Sequence, residues 1–181
     1  MKQLLILVLV SVILIQCKKE ENYLLARGQV GDITALTKVH ELESIFAKDS
    51  VVAHLGEGDF ADSAYDEYLV YNKEGDHLLT LIPKQQHDST STFENIQIFD
   101  DKYKTEKGLG LSSKFKDIID NYTVNKVEST FTTAVLFVDE LDVTITIDKK
   151  DLGINDFGTQ KIILEQIPDL AKIKTFTVWF D

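Results

Sequence analysis

Four histidines, one cysteine and a dense run of carboxylates are the residues of this 181-residue chain best suited to chemistry. His40, His54, His77 and His87 fall in four different segments. None stands two or four positions from another, the spacings that aim two imidazoles at one metal from a strand or a helix. No serine lies in a Gly-x-Ser-x-Gly elbow, and no glycine-rich loop leads into a Lys-Ser or Lys-Thr pair that would cradle phosphate. Gly56-Glu57-Gly58-Asp59 has two glycines but no lysine in the right place. Glu57, Asp59, Asp62, Asp66 and Glu67 are dense enough to offer oxygen ligands to calcium. They lack the alternating acidic pattern and closing glutamate of a calcium loop, so a solvated acidic loop is expected. No catalytic residue, metal site or cofactor is predicted. Paired carboxylates for glycoside hydrolysis need a cleft and a fixed separation. That leaves a hydrolase or glycan-processing accessory enzyme as the alternative to a non-catalytic role.

The single cysteine, Cys17, cannot form an internal disulfide, and its position gives it another meaning. It follows Lys2 and an apolar run from Leu4 to Ile15 that only Ser11 interrupts. A spanning helix needs about 20 apolar residues, so this run fits the hydrophobic region of a signal peptide covering residues 1–16. Leu14-Ile15-Gln16-Cys17 resembles the lipobox of bacterial lipoprotein precursors, with Gln16 where the family usually has a small residue. The resemblance implies diacylglycerol on the Cys17 sulfur, cleavage before Cys17 and acylation of the new amine. One acyl chain gives only marginal membrane binding, whereas two or more anchor stably. An uncleaved signal anchor is the alternative. Lys18-Lys19-Glu20-Glu21-Asn22 resembles the signal that sends Bacteroidota-type lipoproteins to the outer surface, and a solvated charged tether is the other reading. The expected address is the outer membrane, lipid-anchored, with the surface and the periplasmic side both open. A net charge of −11 argues against nucleic acid, because phosphate binding needs clustered Lys and Arg. The same charge holds the folded part off an anionic membrane surface.

After a tether over residues 17–28, the chain repeats itself. Ile33, Thr37, Lys38, Val39, Leu42, Phe46 and Val51 match Leu109, Ser113, Lys114, Phe115, Ile118, Tyr122 and Val127, 76 positions on. Thr37 and Ser113 are placed to cap short helices whose apolar stripes are Val39, Leu42, Phe46 and Phe115, Ile118, Tyr122. Strands are predicted over 67–71, 77–82 and 93–99, and again over 132–138, 143–147 and 174–180. Tight turns at 72–76 and 139–142 close a hairpin in each set. The long link from Asp148 to Ile173 has room for a short helix near Gln160–Gln166. The expected class is α+β: two tandem units, residues 29–106 and 107–181, each a helix on a three-stranded antiparallel sheet. The two sheets are compatible with one continuous curved sheet. This arrangement resembles the small lipoprotein of the outer-membrane barrel-assembly machinery, doubled as in the proteinaceous β-lactamase inhibitors. Thr34-Ala35-Leu36-Thr37 and Gly110-Leu111-Ser112-Ser113 stand where that group has its start before the helix. The resemblance implies a binding role, with an envelope or secreted protein as partner.

The last strand predicts a surface. Alternate residues of a strand face opposite sides. Phe176, Val178 and Phe180 therefore share the side under the helices, and Thr175, Thr177 and Trp179 share the other. Val143, Ile145 and Ile147 split from Thr144 and Thr146 in the same way. Antiparallel sheets commonly leave one face to water, which suits a threonine-rich face. Thr144, Thr146, Thr175, Thr177 and Trp179 are the candidate partner-binding residues. The competing reading has Trp179 packed under the Asp148–Ile173 link.

Overall fold

The structure, a computed structural model, describes residues 21–56, 65–153 and 161–180. The signal segment, Cys17 and Lys18 to Glu20 lie outside the described residues, as do Glu57, Asp59 and Asp62 of the acidic stretch.

The chain enters through a small antiparallel sheet of three two-residue strands, β1 (Leu25–Ala26), β2 (Gln29–Val30) and β3 (Ile33–Thr34). Gly31 turns β2 into β3 at φ 57°, and a Cβ there would sit 2.6 Å from the Asn22 carbonyl oxygen. Only glycine fits both the dihedral and the space. Leu25, Val30 and Ile33 are buried, and the Leu25 N–H donates to the Lys104 carbonyl at 2.9 Å. Part of the segment expected to be tether is therefore folded. The apolar side chain of Leu25 adds burial that a solvated tether would forgo.

Two short helices follow, each beginning where the sequence expectation put a helix. Val39–Glu41 is a 3₁₀ turn that runs into α1 (Leu42–Ile45), and α2 covers Phe115–Asn121. Val39, Leu42, Phe115 and Ile118 are buried, while Phe46 and Tyr122 are half-buried against the same core. Thr37 and Ser113 do not cap these helices. Thr34 N–H donates to Thr37 Oγ1 (3.0 Å) and Gly110 N–H to Ser113 Oγ (3.1 Å), so each hydroxyl closes the turn before its helix. The N-cap positions belong to Lys38 and Lys114. Their N–H groups are taken by the carboxylates of Glu41 (2.7 Å) and Asp117 (2.8 Å), three residues on, which form half of a capping box. Each helix start is also tied to a distant segment: Val39 N–H donates to the Ser91 carbonyl (3.0 Å) and Phe115 N–H to the Ala171 carbonyl (2.9 Å).

The main body is one antiparallel sheet of eight strands. They are β4 (Ser50–His54), β5 (Glu67–Tyr71), β6 (His77–Pro83), β7 (Phe93–Ile98), β8 (Lys126–Ser129), β9 (Thr133–Val138), β10 (Val143–Asp148) and β11 (Ile173–Trp179). Their order is β4-β5-β6-β7-β11-β10-β9-β8. Two meanders thus meet through their last strands, with Ile98 opposite Phe176 and Asn95 opposite Trp179. The class is mixed α and β, with little helix and antiparallel sheets. β4 and β8 are absent from the sequence expectation, which gave Val51 and Val127 to the helical repeat. Both are edge strands that are only partly buried, so neither carries the apolar alternation that marks a strand in sequence. Leu79, Leu81, Ile96, Ile98, Leu136, Ile145, Phe176 and Val178 are buried from one face of this sheet in a single core with the helix residues. In the long link a 3₁₀ turn spans Leu164–Gln166 in place of the expected helix, whose first residue, Gln160, is outside the described set.

Candidate functional site

β10 and β11 display the predicted surface. Val143, Ile145, Ile147, Phe176, Val178 and Phe180 are buried. Thr144 and Thr146 lie opposite Thr177 and Thr175 in register, on the face away from that core. The Thr146 and Thr175 hydroxyls are 2.6 Å apart, and Trp179 Nε1–H donates to Thr144 Oγ1 at 2.9 Å. All five candidate residues are therefore gathered on two adjacent strands. The face continues with amides, since Gln97 pairs with Thr177 and Asn95 with Trp179 across β7–β11.

Trp179 is 37% exposed and separates two shallow depressions. One is bordered by Phe137, Asp139, Asp142 and Thr144, the other by Lys84, Glu94 and Phe180. Among the described residues, none from the 148–172 link lines either depression. The strand end is fixed by the β9–β10 turn: Trp179 N–H donates to the Asp142 carbonyl (2.8 Å). Asp142 sits at φ 52°, a left-handed position that Asp tolerates better than most residues, and its carboxylate pairs with the Arg27 guanidinium. At the far end of β10, the Lys150 backbone N–H and the Lys174 ammonium hold the Asp148 carboxyl below the usual carboxylate range.

The structure also assembles a site that sequence reasoning missed. A cavity of about 260 Å³ opens between the chain entry, α1 and the β5–β6 turn. Tyr23 hydroxyl donates to the Glu21 carboxylate, and Lys48 lies 3.5 Å from the same group. The hydroxyl first, then the lysine charge, keeps the Glu21 carboxyl below its ordinary range, and the same bond pushes the Tyr23 phenol up. Burial pushes the Tyr103 phenol up, and burial followed by the Glu21 charge pushes the Asp49 carboxyl up. These residues come from segments far apart in the chain, so no local spacing announces them.

The acidic stretch is not wholly the solvated loop expected of it, because one of its described carboxylates is buried. Asp66 is fully buried, and its carboxylate accepts the backbone N–H groups of Gly56 (3.0 Å) and His87 (2.5 Å). The His87 imidazole lies 3.6 Å from it, on a residue at φ 55°. Asp66 thus pins the 84–92 loop to the end of β4, a role set by a contact 21 residues away in sequence. His77 is stacked between Tyr71 and Phe99 at 4.9 and 3.9 Å, and His40 Nδ1 lies 2.9 Å from the Ser89 carbonyl oxygen. No group of three or more metal-binding side chains forms among the described residues.

No family model matches the chain, and no curated protein matches it. Among solved structures it is similar to the crystal structure of the uncharacterized protein yfeY from Escherichia coli. The two are 12% identical with a TM-score of 0.52, over 87% of this chain and 99% of that one. At that identity the likeness shows a shared fold and nothing about activity.

Proposed function

We propose that this chain is a lipid-anchored, non-catalytic binding or assembly module of the outer membrane, built from two tandem α+β units that meet edge to edge. Supporting the anchor is the short apolar run ending in the lipobox-like Leu14-Ile15-Gln16-Cys17. Supporting the tandem layout are the matched bonds at Thr37 and Ser113 and at Glu41 and Asp117, and the mirrored strand order on either side of β7–β11. The units are helix plus four strands, not three. The resemblance to the barrel-assembly lipoprotein and the inhibitor group points the same way.

One observation carries the binding role. Trp179 stands 37% exposed on a hydroxyl- and amide-bearing sheet face, tied down by its own indole N–H and flanked by depressions on both sides. Large aromatics with a polar tip are the residues most enriched at binding hot spots. A preformed sheet face with little side-chain freedom also loses little entropy when a partner docks. The partner is an envelope or secreted protein. Affinity capture from native envelopes, followed by mass spectrometry, should recover one recurrent protein with the full chain. Labelled palmitate should enter that chain and not the Cys17→Ala variant. Equal palmitate in both would remove the anchor, and capture of no recurrent envelope or secreted protein would remove the binding role.

A further inference from the structure

The two edges of the eight-stranded sheet are protected unequally. An edge strand presents unpaired backbone N–H and C=O groups, which proteins shield with charge, proline, a bulge or a covering segment. β8 has two of these devices. It carries Lys126 and Glu128, and the 161–164 segment shares a groove with it, with Ile162 buried and its N–H donating to Ser129 Oγ at 3.1 Å. β4 has none among the described residues. Ser50-Val51-Val52-Ala53-His54 holds no Lys, Arg, Asp, Glu or Pro. Its five-residue pairing with β5 runs without a bulge, and its outer side meets no other described strand.

Exposed apolar side chains stand at that edge. Val52 is 38% exposed, Leu55 just past the strand end 49%, and Tyr65, which leads into β5, 64%. Val51 packs against the core, so Val52 stands on the open face, in a row with Leu69 on β5 and Thr80 on β6. The strand is also symmetric in character about Val52. Val51 and Ala53 flank it, and Ser50 and His54 come next on either side. A two-fold contact demands that symmetry, because each residue meets the one equally far beyond the axis. A strand from a different protein makes no such demand.

We propose that β4 is a self-association edge: two copies of this chain pair antiparallel through β4, Val52 opposite Val52, and join their eight-stranded sheets into one. Ser50 then lies opposite the partner's His54 and Val51 opposite the partner's Ala53, with no like charges opposed. Leu69 and Val52 of one copy continue into Val52 and Leu69 of the other, which takes both valines out of water. The contact owes nothing to the function proposed for Trp179. β5, β6 and β7 separate β4 from β11, so the dimer leaves that ring accessible.

The test uses the full chain in detergent, with micelles in large excess over protein, and reads protein mass by density-matched sedimentation over a concentration series. The chain should pass from monomer to dimer as its concentration rises. Added salt should tighten the dimer, because the acidic charge of each copy opposes a contact that is itself uncharged. Val52→Lys and Val52→Asp should each weaken the dimer about tenfold, by setting like charges opposite each other and removing the apolar pair. An equimolar mixture of the two variants should form dimers again, because the new charges are then opposite in sign. Val52 lies outside the core, so a melting temperature unchanged at concentrations where the wild-type chain is monomeric checks that the variants fold. A Val52→Lys chain that dimerises like the wild type, or a mixture that stays monomeric, would overturn the pairing. A wild-type chain that is monomeric throughout the series would overturn it too, and leave the edge to a strand of another protein.

Discussion

The Trp179 indole Nε1–H and the Thr144 hydroxyl oxygen are 2.9 Å apart, joined across the β10–β11 pair. The backbone of Trp179 is bonded independently, to the Asp142 carbonyl. Removing the ring therefore leaves the strand end in place. Trp179→Ala should weaken capture of the native partner by about 2 kcal/mol or more and leave the melting temperature nearly unchanged. A large drop in melting temperature would make the ring structural. The chain has one tryptophan, so its fluorescence reports this site alone. Thr144→Val should lower the anisotropy of that signal by freeing the indole.

The helix stripes are core. Leu42 and Ile118 are 1% and 0% exposed, 76 positions apart, and belong to one apolar cluster. Leu42→Ala and Ile118→Ala should each cost about 2–5 kcal/mol in urea unfolding, through lost burial and a residual cavity. Because the core is shared, both should unfold in one transition. A loss below about 1 kcal/mol at either site would mean the helix is not needed to close that end of the sheet.

Asp66 tests the loop clasp. Asp66→Ala would strand the N–H groups of Gly56 and His87, which its carboxylate now receives. Each buried donor left without an acceptor costs about 1–3 kcal/mol. The expected loss of a few kcal/mol should appear as faster amide hydrogen exchange in the 84–92 loop. His87→Ala should cost far less, because 60% of that side chain is exposed and the backbone bond survives.

Glu21 supplies a pH test. Its carboxyl titrates below the ordinary range because the Tyr23 hydroxyl donates to it. A carboxyl depressed in the folded state favours folding above its unfolded pKa, and that contribution is lost as pH falls through the depressed value. Tyr23→Phe should move the Glu21 carboxyl titration, followed by ¹³C NMR, upward toward the ordinary range. Asp49 carries the opposite sign: its carboxyl is raised by burial and by Glu21, so its ionisation disfavours the fold as pH rises through the raised value. Glu21→Gln should bring the Asp49 carboxyl down. An Asp49 titration indifferent to Glu21 would contradict the shared wall.

Much of this protein is determined by the sequence on its own. Residues 67–71 form β5 at the expected bounds, and β6, β7, β9, β10 and β11 differ from expectation by a residue or so at their ends. The split of Thr175, Thr177 and Trp179 from Phe176 and Val178 follows from the two-residue period of a strand, a local rule that any eight consecutive residues can display. The helix stripes are equally local. Tertiary structure alone decided the rest. It placed β4 and β8 at the edges of the sheet, where the ladder supplies the strand identity that weak alternation does not. It joined β7 to β11, a pairing between residues about 80 positions apart that leaves no trace in either segment's pattern. It buried Asp66 inside a stretch that composition marks as solvated, because burial follows from which loop crosses above. It also drew Asp49 and Lys73 to one cavity. Periodicity reports which way a side chain points along its own element, whereas a site built from separate loops depends on long-range packing, which no window of the sequence contains.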